Sequence, residues 1–394
     1  MKLVVNASTL VPPLTGIGRY SRYLFEQLLH REEIESFSAI TPFKSLSREQ
    51  LMQRITECDQ VKTRSSKALS QQSMKQAVIQ RLRQEPKAHS LKRLIEQGCA
   101  TFHSNKYKNH VYWEPNYLLL PIDAPAVSTI YDLSHLTYPE HHPLARIKLL
   151  EANLEKSVSR SQKIVVISEF TRDEVIKEFG ITAEKISIVP PAVSDAFRED
   201  YDALSLSVIR QRYQLPENFI LSVCTLEPRK NLIGLTNAFC QLPSETRKSH
   251  PLVLVGGRGW KNEELDPILD KLERSGELIQ LGYVAPQDLP LLFTAAKLLV
   301  YISLYEGYGM PVAEAMAAGT AVITSNKTSM PEVANGACVL VDPLDSQAVS
   351  GEIQRLLEDD ALRNNNIQMA LEKSSHYTWK NSADVLFKTL ESLC

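Results

Sequence analysis

The segment YEGYGMPVAEAMAAGTAV, Tyr305 to Val322, carries two glutamates, Glu306 and Glu314, with seven residues between them. Proline favours the first turn of a helix and glycine its end, so we predict a short helix from Pro311 to Ala318. Alanine, valine and methionine occupy every face of that helix, which indicates that it is buried. A carboxylate in such a place needs hydrogen-bond donors, and Glu314 is therefore expected to have a partner.

The loop before this helix, Gly307-Tyr308-Gly309, lets bare backbone approach a ligand closely. Amide groups at the start of a helix favour anions. Together, the loop and the buried carboxylate predict a pocket for a molecule that has both hydroxyl and phosphate groups. The alternative is a buried glutamate that pairs with a protein donor behind an ordinary glycine turn.

Other candidate ligand-binding residues also follow predicted strands. The segment TLEPRKN follows the apolar run FILSVC and supplies Arg229 and Lys230, and VGGRGW follows PLVLV. Ligands of open parallel sheets bind beyond the carboxyl ends of the strands, where these segments and Glu306 would converge. Cations for phosphate, glycine turns for close approach and a carboxylate for ribose hydroxyls fit a nucleoside diphosphate. Taken singly, two adjacent cations at a helix start are more often solvated, and GGRG is a common kind of turn.

Short apolar runs alternate with helical patterns along the chain. The first run, KLVVNAS, leads through a glycine loop into the amphipathic pattern LTGIGRYSRYLFEQLL. Strands that alternate with helices predict an α/β fold with parallel sheets. The proline- and acid-rich segment Val189 to Ser205 divides the runs into two groups, so we predict the linker between two domains there.

Length and composition fit a two-domain globular protein. The 394 residues are 43% hydrophobic, and the formal net charge of −2 argues against a protein devoted to nucleic acid. The six cysteines are scattered without a Cys-x-x-Cys pair, which favours reduced thiols in the cytoplasm. The sequence shows neither a cleavable signal nor an apolar run of membrane-spanning length, so we expect a cytoplasmic protein.

One order of motifs runs along nearly the whole chain: TGIGRY, VISEFTRDEV, TLEPRKNL, LVLVGGRGW, LGYV, EGYGMPVAEAMAAG and MPEVANGACVLVDP. These motifs resemble those of the retaining family 4 glycosyltransferases with the GT-B fold, and the E-x7-E segment is the most specific of them. The resemblance implies two Rossmann-like domains that face each other across a cleft. The last helix would cross back, giving a first domain of residues 1–200 with 376–394 and a nucleotide-sugar domain of residues 206–375.

The resemblance also implies roles for individual residues. Glu306 would bind the hydroxyls of the donor sugar, and Glu314 those of the ribose. Lys230, helped by Arg229, would hold the diphosphate, and these two cations with Glu306 form the implied catalytic set. Further donor contacts are implied for Gly16 and Gly18 beside the diphosphate, Tyr283 and Val284 beside the base, and Gly307, Tyr308, Gly309, Met310 and Pro311 beside sugar and phosphate.

One departure from the family pattern lies after an early strand, where relatives commonly have His-Asp and this chain has Tyr131-Asp132. A tyrosine is neutral at pH 7 and is a poor base, so the role of that histidine does not transfer directly. His135 is a candidate substitute, although a loop histidine is more often a surface residue. Tyr131, Asp132 and His135 are therefore candidate acceptor-side residues.

A second departure concerns Cys224 and Thr225, where some relatives place an additional arginine for phosphate. Arg229 and Lys230 must then carry more of that charge. The leaving phosphate oxygen can take the acceptor's proton on the same face of the sugar, which would retain the anomeric configuration without a protein base. We interpret Glu306 as a positioning group rather than a nucleophile.

No metal and no other cofactor is expected beside the nucleotide-sugar substrate. The Asp-x-Asp segment, Asp200-Tyr201-Asp202, lies in the predicted linker rather than after a strand. His141 and His142 are adjacent, which is a poor spacing for joint metal binding from one helix face. The reaction is therefore predicted to be metal-independent.

A basic segment stands outside these motifs, with eleven cations against Glu85 and Glu96: Lys62, Arg64, Lys67, Lys75, Arg81, Arg83, Lys87, Lys92, Arg93, Lys106 and Lys108. Two interpretations stay open. The segment could form a surface that binds anionic lipid or a phosphate-bearing acceptor, or it could be a solvated helical insert. The first would make the protein peripheral on the cytoplasmic membrane. Nucleic acid is disfavoured because no aromatic residue interrupts the run from Lys62 to Arg93.

Within the family, TLEPRKNL and LVLVGGRGW look most like bacterial mannosyltransferases that use GDP-mannose to build surface polysaccharide such as O-antigen. We therefore predict transfer of a hexose, mannose from GDP-mannose, to a growing glycan or a lipid-linked acceptor. Rhamnosyl, glucosyl and N-acetylhexosaminyl donors stay open. Two other classes also stay open, a nucleotide-sugar epimerase of similar two-domain plan and a non-catalytic partner that binds nucleotide sugar or membrane.

Overall fold

The structure, a computed structural model, describes residues 1–12, 14–41, 44–60, 98, 100–101 and 104–394. The chain divides into two compact units, one formed by Met1–Pro191 with Trp379–Cys394 and the other by Ala192–Thr378. Each unit is built on a mainly parallel sheet whose successive strands are connected mostly through helices. The predicted α/β fold with two Rossmann-like domains is confirmed.

The described residues of the first unit form one sheet, with strands β1 (Lys2–Asn6), β2 (Ser36–Ile40), β3 (Ser45–Leu46), β4 (Val111–Glu114), β5 (Ala126–Ile130), β6 (Lys163–Val166) and β7 (Ile186–Ile188). Their order is β3-β2-β1-β4-β5-β6-β7, and β3 pairs antiparallel with β2 whereas the other pairs are parallel. Numbered along the chain, the helices are α1 (Gly16–Leu29), α2 (Arg48–Gln60), α3 (Ser134–Thr137), α4 (Leu144–Arg160), α5 (Glu169–Phe179) and, at the C-terminus, α15 (Trp379–Glu391).

The sheet of the second unit consists of β8 (Ile220–Val223), β9 (Leu252–Val255), β10 (Leu278–Gly282), β11 (Leu298–Tyr301), β12 (Ala321–Ser325) and β13 (Val339–Val341). All residues of this unit are described, and its strands are parallel in the order β10-β9-β8-β11-β12-β13. The helices are α6 (Ala203–Tyr213), α7 (Leu232–Gln241), α8 (Ser244–Ser249), α9 (Asp266–Arg274), α10 (Leu289–Ala295), α11 (Met310–Ala317), α12 (Met330–Ala334), α13 (Ser346–Glu358) and α14 (Asp360–Ser374).

Counted within the second unit, the strand order is the 3-2-1-4-5-6 order of a Rossmann fold, which reverses between β8 and β11. The two strands at that point pair directly, with Leu298 beside Ile220. Both are buried along most of their length, because helices cover both faces of a parallel sheet. The segments that follow β8 and β11 therefore leave a rigid core side by side.

The boundary between the units lies between Pro191 and Ala192, before the predicted end of the first domain at residue 200. The segment after Pro191 belongs to the second unit because it contacts the end of that unit. The Arg198 guanidinium donates to the carbonyl oxygens of Ser374 and Tyr377, each at 2.9 Å. The last helix begins at Trp379, whose ring stacks on Tyr23 of α1 with 4.7 Å between the ring centroids.

The predicted basic surface falls almost entirely outside the described residues, which contain only its last members, Lys106 and Lys108. Both of these lysines are exposed, and Lys108 Nζ lies 3.7 Å from the carboxylate of Asp123. In the described part of the chain, no helix combines the length and the apolar character needed to cross a bilayer.

Candidate functional site

The candidate site lies where the strand order of the second sheet reverses. After β8 the chain forms a 3₁₀ turn, Pro228–Lys230, and after β11 it continues as an irregular loop that contains Glu306. The amide of Leu304 donates to the carbonyl oxygen of Arg229 at 2.9 Å, which fixes the two segments together. The predicted convergence of the cations and this carboxylate at the strand ends is therefore present.

The Glu306 carboxylate is buried and accepts hydrogen bonds from three side chains. Arg229 Nη1 donates to Oε2 at 2.9 Å, and the Tyr301 hydroxyl donates to Oε1 at 2.8 Å. The Lys230 ammonium also contacts Oε1. A carboxylate has about four acceptor positions, so these bonds leave one on Oε2 for a ligand hydroxyl.

The charges around Glu306 keep it ionised. Burial by itself raises the pKa of the carboxyl, but the charges of Arg229 and Lys230 outweigh that effect and lower the pKa to about 2. The carboxylate therefore stabilises the folded state at neutral pH, and this contribution is lost as pH falls below the ordinary glutamate range towards about 2. Burial and the neighbouring Glu306 charge raise the pKa of Tyr301 well above its usual value, so its hydroxyl stays a donor.

Arg229 is held by acceptors on three sides. In addition to Glu306, Nη2 donates to the carboxylate of Glu227 at 2.7 Å, and Nη1 donates to the carbonyl oxygen of Tyr305 at 2.8 Å. Glu227 is only 8% exposed. The guanidinium thus fixes the position of Glu306, while Lys230, with hydrogen bonds to Glu306 and Tyr301, stands beside it as a second cation.

Two members of this network, Glu227 and Tyr301, were not among the predicted site residues. Glu227 stands two residues before Arg229 in TLEPRKN, and Tyr301 ends the apolar run of β11. The sequence contained a signal for both residues. A carboxylate close to two cations can pair with them, and a tyrosine at the end of a strand can donate a hydrogen bond to a nearby loop. Their roles depend on contacts between segments that are distant in sequence.

The loop after Glu306 is fixed by its own neighbours. Ser329 Oγ donates to the carbonyl oxygens of Glu306 at 2.9 Å and Tyr308 at 3.0 Å. Gly309 has a φ of +99°, a conformation that residues with a side chain rarely adopt, so the backbone at this position favours glycine. Gly307 and Tyr308 are buried, as is Gly309.

The helix α11 begins at Met310, one residue before the predicted start, and both Met310 and Pro311 are partly exposed in its first turn. Glu314 lies in the middle of this helix and is 9% exposed, as its apolar surroundings predict. The structure therefore places Glu314 on the helix directly after the loop that carries Glu306.

The segments after β9 and β10 lie next to each other. The amide of Gly256 donates to the carbonyl oxygen of Gly282 at 2.7 Å. Tyr283, which follows, is 64% exposed, whereas Val284 is 3% exposed and points into the core. Of these two predicted base-side residues, Tyr283 thus presents its side chain outward and Val284 does not.

The glycines after β9 allow a stability prediction with an internal control. Gly256 has a φ of +145°, and a Cβ there would lie 1.8 Å from the carbonyl oxygen of Cys224, whereas a Cβ at Gly257 meets nothing within 4 Å. We expect Gly256→Ala to lower the free energy of unfolding by at least about 2 kcal/mol, because left-handed strain and a backbone clash act together. Gly257→Ala should change it by less than about 0.5 kcal/mol. Urea denaturation followed by circular dichroism measures both, and equal values for the two variants would contradict the prediction.

In the first unit, Gly18 and Gly16 differ in their surroundings. A Cβ at Gly18 would lie 2.9 Å from the carbonyl oxygen of Thr9, so packing within the protein already requires glycine there. A Cβ at Gly16 would meet nothing within 4 Å. A ligand could approach the open space at Gly16. The contact of Gly16 and Gly18 with the diphosphate stays a prediction.

Of the candidate acceptor-side residues, also in the first unit, Tyr131 and His135 are buried and Asp132 is partly buried. The Tyr131 hydroxyl donates to the carbonyl oxygen of Pro115 at 2.7 Å, and burial raises its pKa well above the usual value. Asp132 accepts from the Ser134 hydroxyl at 2.7 Å. His135 is 2% exposed in α3, which excludes the alternative of an ordinary surface histidine, and burial lowers its pKa to about 4.

The residues considered for metal binding also have structural contacts. Asp202, of the Asp-x-Asp segment, caps α6 by accepting from the amide of Ser205 at 2.8 Å. Among the residues that the structure describes, no group of three or more histidine, cysteine, aspartate or glutamate side chains is arranged to hold a metal ion.

Comparisons with known proteins identify the family of the chain. The family model "Glycosyl transferases group 1" matches residues 208–373, and "Glycosyltransferase Family 4" matches residues 79–197. The O-antigen chain mannosyltransferase B of Escherichia coli is 35% identical over 382 residues, which cover 97% of each chain. The serotype-specific mannosyltransferase WbdA of Escherichia coli is 34% identical over 57% of this chain, although the matched part covers only 28% of WbdA.

Among solved structures, Anabaena Alr3699/HepE in complex with UDP-glucose superposes with a TM-score of 0.74 at 18% identity and covers 100% of both chains. At this identity the likeness concerns the fold. The similarity to mannosyltransferase B covers nearly the full length of both chains, and it shows the family. The chain belongs to the group 1, family 4 glycosyltransferases with the GT-B fold.

Proposed function

We propose that this glycosyltransferase transfers mannose from GDP-mannose to a growing glycan or lipid-linked acceptor in the synthesis of O-antigen or a similar surface polysaccharide. The observation that carries the proposal is the ion pairing of the buried Glu306 with Arg229 and Lys230 at the switch point of the second sheet. The mannosyl donor and the polysaccharide are supported by the names of the two Escherichia coli relatives.

In the proposed complex, each charged group serves one part of the donor. Lys230 stabilises the negative charge that develops on the leaving diphosphate, with Arg229 beside it. The remaining acceptor position of Glu306 takes a hydroxyl of the sugar, and Glu314 binds the ribose. The resemblance to the family suggested these contacts, and the placement of the residues after β8 and β11 agrees with them.

The proposed chemistry retains the anomeric configuration. The bond from the anomeric carbon to the diphosphate oxygen breaks, a bond to the acceptor oxygen forms on the same face, and the acceptor's proton passes to the leaving diphosphate. Glu306 acts as a positioning group rather than a nucleophile in this proposal, because hydrogen bonds from two cations and a tyrosine make its carboxylate a weaker nucleophile. We further propose that no metal takes part, and Asp202 is a helix cap in this interpretation.

The location of the protein also belongs to the proposal. We infer a cytoplasmic protein that contacts anionic membrane through the basic segment from Lys62 to Lys108, because anionic headgroups attract lysine and arginine. Such a contact would bring the enzyme to a lipid-linked acceptor. Of that segment, the exposed residues Lys106 and Lys108 are described, and they are consistent with such a surface.

A panel of nucleotide sugars tests the donor, with and without lipid-linked acceptors and with and without EDTA. We expect GDP release from GDP-mannose that requires the acceptor and survives EDTA, and proton NMR of the product should show the anomeric configuration of the donor. An altered nucleotide sugar formed without acceptor would indicate an epimerase. Binding of GDP-mannose without any turnover would indicate a non-catalytic partner, and loss of activity in EDTA that is restored by magnesium would refute metal independence.

A further inference from the structure

A threonine in a strained backbone conformation lies next to the loop that carries Glu306. Thr328 follows β12 and has a φ of +55°. A positive φ is uncommon for a residue with a side chain, and it is an outlier for a β-branched one. Glycine or asparagine would adopt this conformation at a lower cost. The backbone conformation alone therefore gives no reason for a threonine at this position.

The side chain of Thr328 contacts the backbone of Glu306. Its hydroxyl accepts from the Glu306 amide at 3.2 Å, and the hydroxyl of the next residue, Ser329, donates to the Glu306 carbonyl oxygen at 2.9 Å. Successive side chains of an extended segment point in opposite directions, so the left-handed turn at Thr328 lets both hydroxyls reach one residue. That residue carries the carboxylate that pairs with Arg229 and Lys230.

The loop after β11 is held from both neighbouring strands. On the β8 side, the amide of Leu304 donates to the carbonyl oxygen of Arg229 at 2.9 Å, and the Arg229 guanidinium donates to that of Tyr305 at 2.8 Å. On the β12 side, the two hydroxyls bind the backbone of Glu306. Glu306 is thus the residue at which contacts from the two sides meet, with its side chain bonded to the cations after β8 and its backbone to the segment after β12.

We propose that Thr328 is a positioning residue, whose hydroxyl fixes the direction in which the Glu306 side chain leaves the loop. The proposal rests on the proposed function, in which Glu306 binds a hydroxyl of the donor sugar at the reacting centre. Thr328 acts through Glu306 and does not itself contact the substrate. Backbone strain is tolerated at functional sites where the surrounding structure depends on it, and an error of about 1 Å at a reacting centre can lower the rate by roughly 10²-fold.

Thr328→Val tests the hydroxyl, because valine keeps the shape of the side chain and removes the acceptor. We expect kcat per folded molecule to fall by at least about tenfold, since the carboxylate is displaced from the sugar. The Kd of GDP should stay within about twofold of the parent, because GDP lacks the sugar that Glu306 binds. Thr328→Ser retains the hydroxyl and should keep kcat within about threefold. An unchanged kcat in Thr328→Val, or an equal loss in Thr328→Ser, would overturn the proposal.

A double-mutant cycle with Glu306→Gln separates positioning from a general structural role. In that background Thr328→Val should lower kcat by less than about twofold, because the group that it positions has already lost its charge. A residue that only supports the fold would cause the same loss in both backgrounds. A further tenfold loss in the double variant would therefore contradict the proposal.

Thr320→Val is the matched control, since Thr320 precedes β12 and Thr328 follows it. Thr320 is 1% exposed, and its hydroxyl donates to the carbonyl oxygen of Phe293 at 2.6 Å. The same chemical change at this end of the strand should lower the melting temperature but leave kcat per folded molecule within about twofold of the parent. Equal losses of kcat in Thr320→Val and Thr328→Val would show that the effect is not specific to the Glu306 loop.

Hydrogen–deuterium exchange tests the contact without any substrate. In Thr328→Val the Glu306 amide should exchange at least about threefold faster than in the parent, and in Thr320→Val its exchange should be unchanged. Mass spectrometry of peptides that contain Glu306 measures both, and unchanged exchange in Thr328→Val would refute the proposal whatever the donor is. If the parent consumes a nucleotide sugar other than GDP-mannose, the proposed donor fails, and the kcat comparison is made with the sugar that is consumed.

Discussion

Replacing Glu306 by glutamine is expected to lower kcat by about 10²–10³-fold. The side chain keeps its size, but it loses the charge that holds Arg229 and Lys230 in place and that binds a sugar hydroxyl. Removal of a single preorganised group at a reacting centre typically has an effect of this size. Steady-state turnover of GDP-mannose, normalised to the folded fraction, measures the change.

The control for this variant is Glu277→Gln in the same unit. Glu277 is also buried, at 5% exposure, and pairs with Arg247 at 3.1 Å, but it directly precedes β10 at the edge of the sheet away from the site. Both variants remove one partner of a buried ion pair and should lower stability. Only Glu306→Gln should lower turnover per folded molecule, and turnover within about threefold of the parent would show that Glu306 is not at the reacting centre.

Replacing Lys230 by methionine should lower kcat and kcat/KM together, each by at least about 10²-fold. Methionine fills a similar volume but offers no charge to the leaving diphosphate, so the stabilisation of the transition state is lost. The side chain of Lys230 is partly buried, and its ammonium donates to Tyr301 at 3.0 Å. A rise in KM with an unchanged kcat would mean that Lys230 binds the ground state and the transition state equally.

A binding measurement separates the charge effect from a general loss of structure. The Lys230→Met protein should lose most of the advantage that GDP has over guanosine, because only GDP carries the diphosphate. Lys185→Met is the control, since Lys185 is partly buried in the first unit and donates to the carbonyl oxygen of Val158 at 2.8 Å. If GDP kept its full advantage in Lys230→Met, the phosphate contact would have to be assigned to another residue.

The main features of the fold could be predicted from apolar runs and turn residues. Each bound of the short helix α11 differs from the predicted one by a single residue, since proline near its start and Gly319 after its end mark both limits. The boundary between the domains was harder to predict from the sequence. It depends on Arg198, whose two carbonyl partners lie more than a hundred residues later, and no local pattern reports such contacts.

The charged centre of the site could be predicted because parallel strands carry their carboxyl ends to one edge. Glu306 and the cations after β8 follow from that rule alone. The rule says which segments meet but not which atoms bond, so Glu227 and Tyr301 could not be assigned before the contacts were known. The burial of His135 could not be predicted for a related reason, since a polar residue in a turn gives no local indication that neighbouring elements cover it.

The direct pairing of β8 with β11 has a consequence for folding. Glu306 is separated from Arg229 and Lys230 by 77 and 76 residues, so their ion pairs cannot form until that long stretch of chain has closed. Until then the three charges stay hydrated, and the half-sheet of β8, β9 and β10 has two cations with no carboxylate from β11 beside them. Closure of the sheet and assembly of the charge cluster are therefore one event, and a nascent chain acquires this cluster only after the residues beyond β11 have been synthesised.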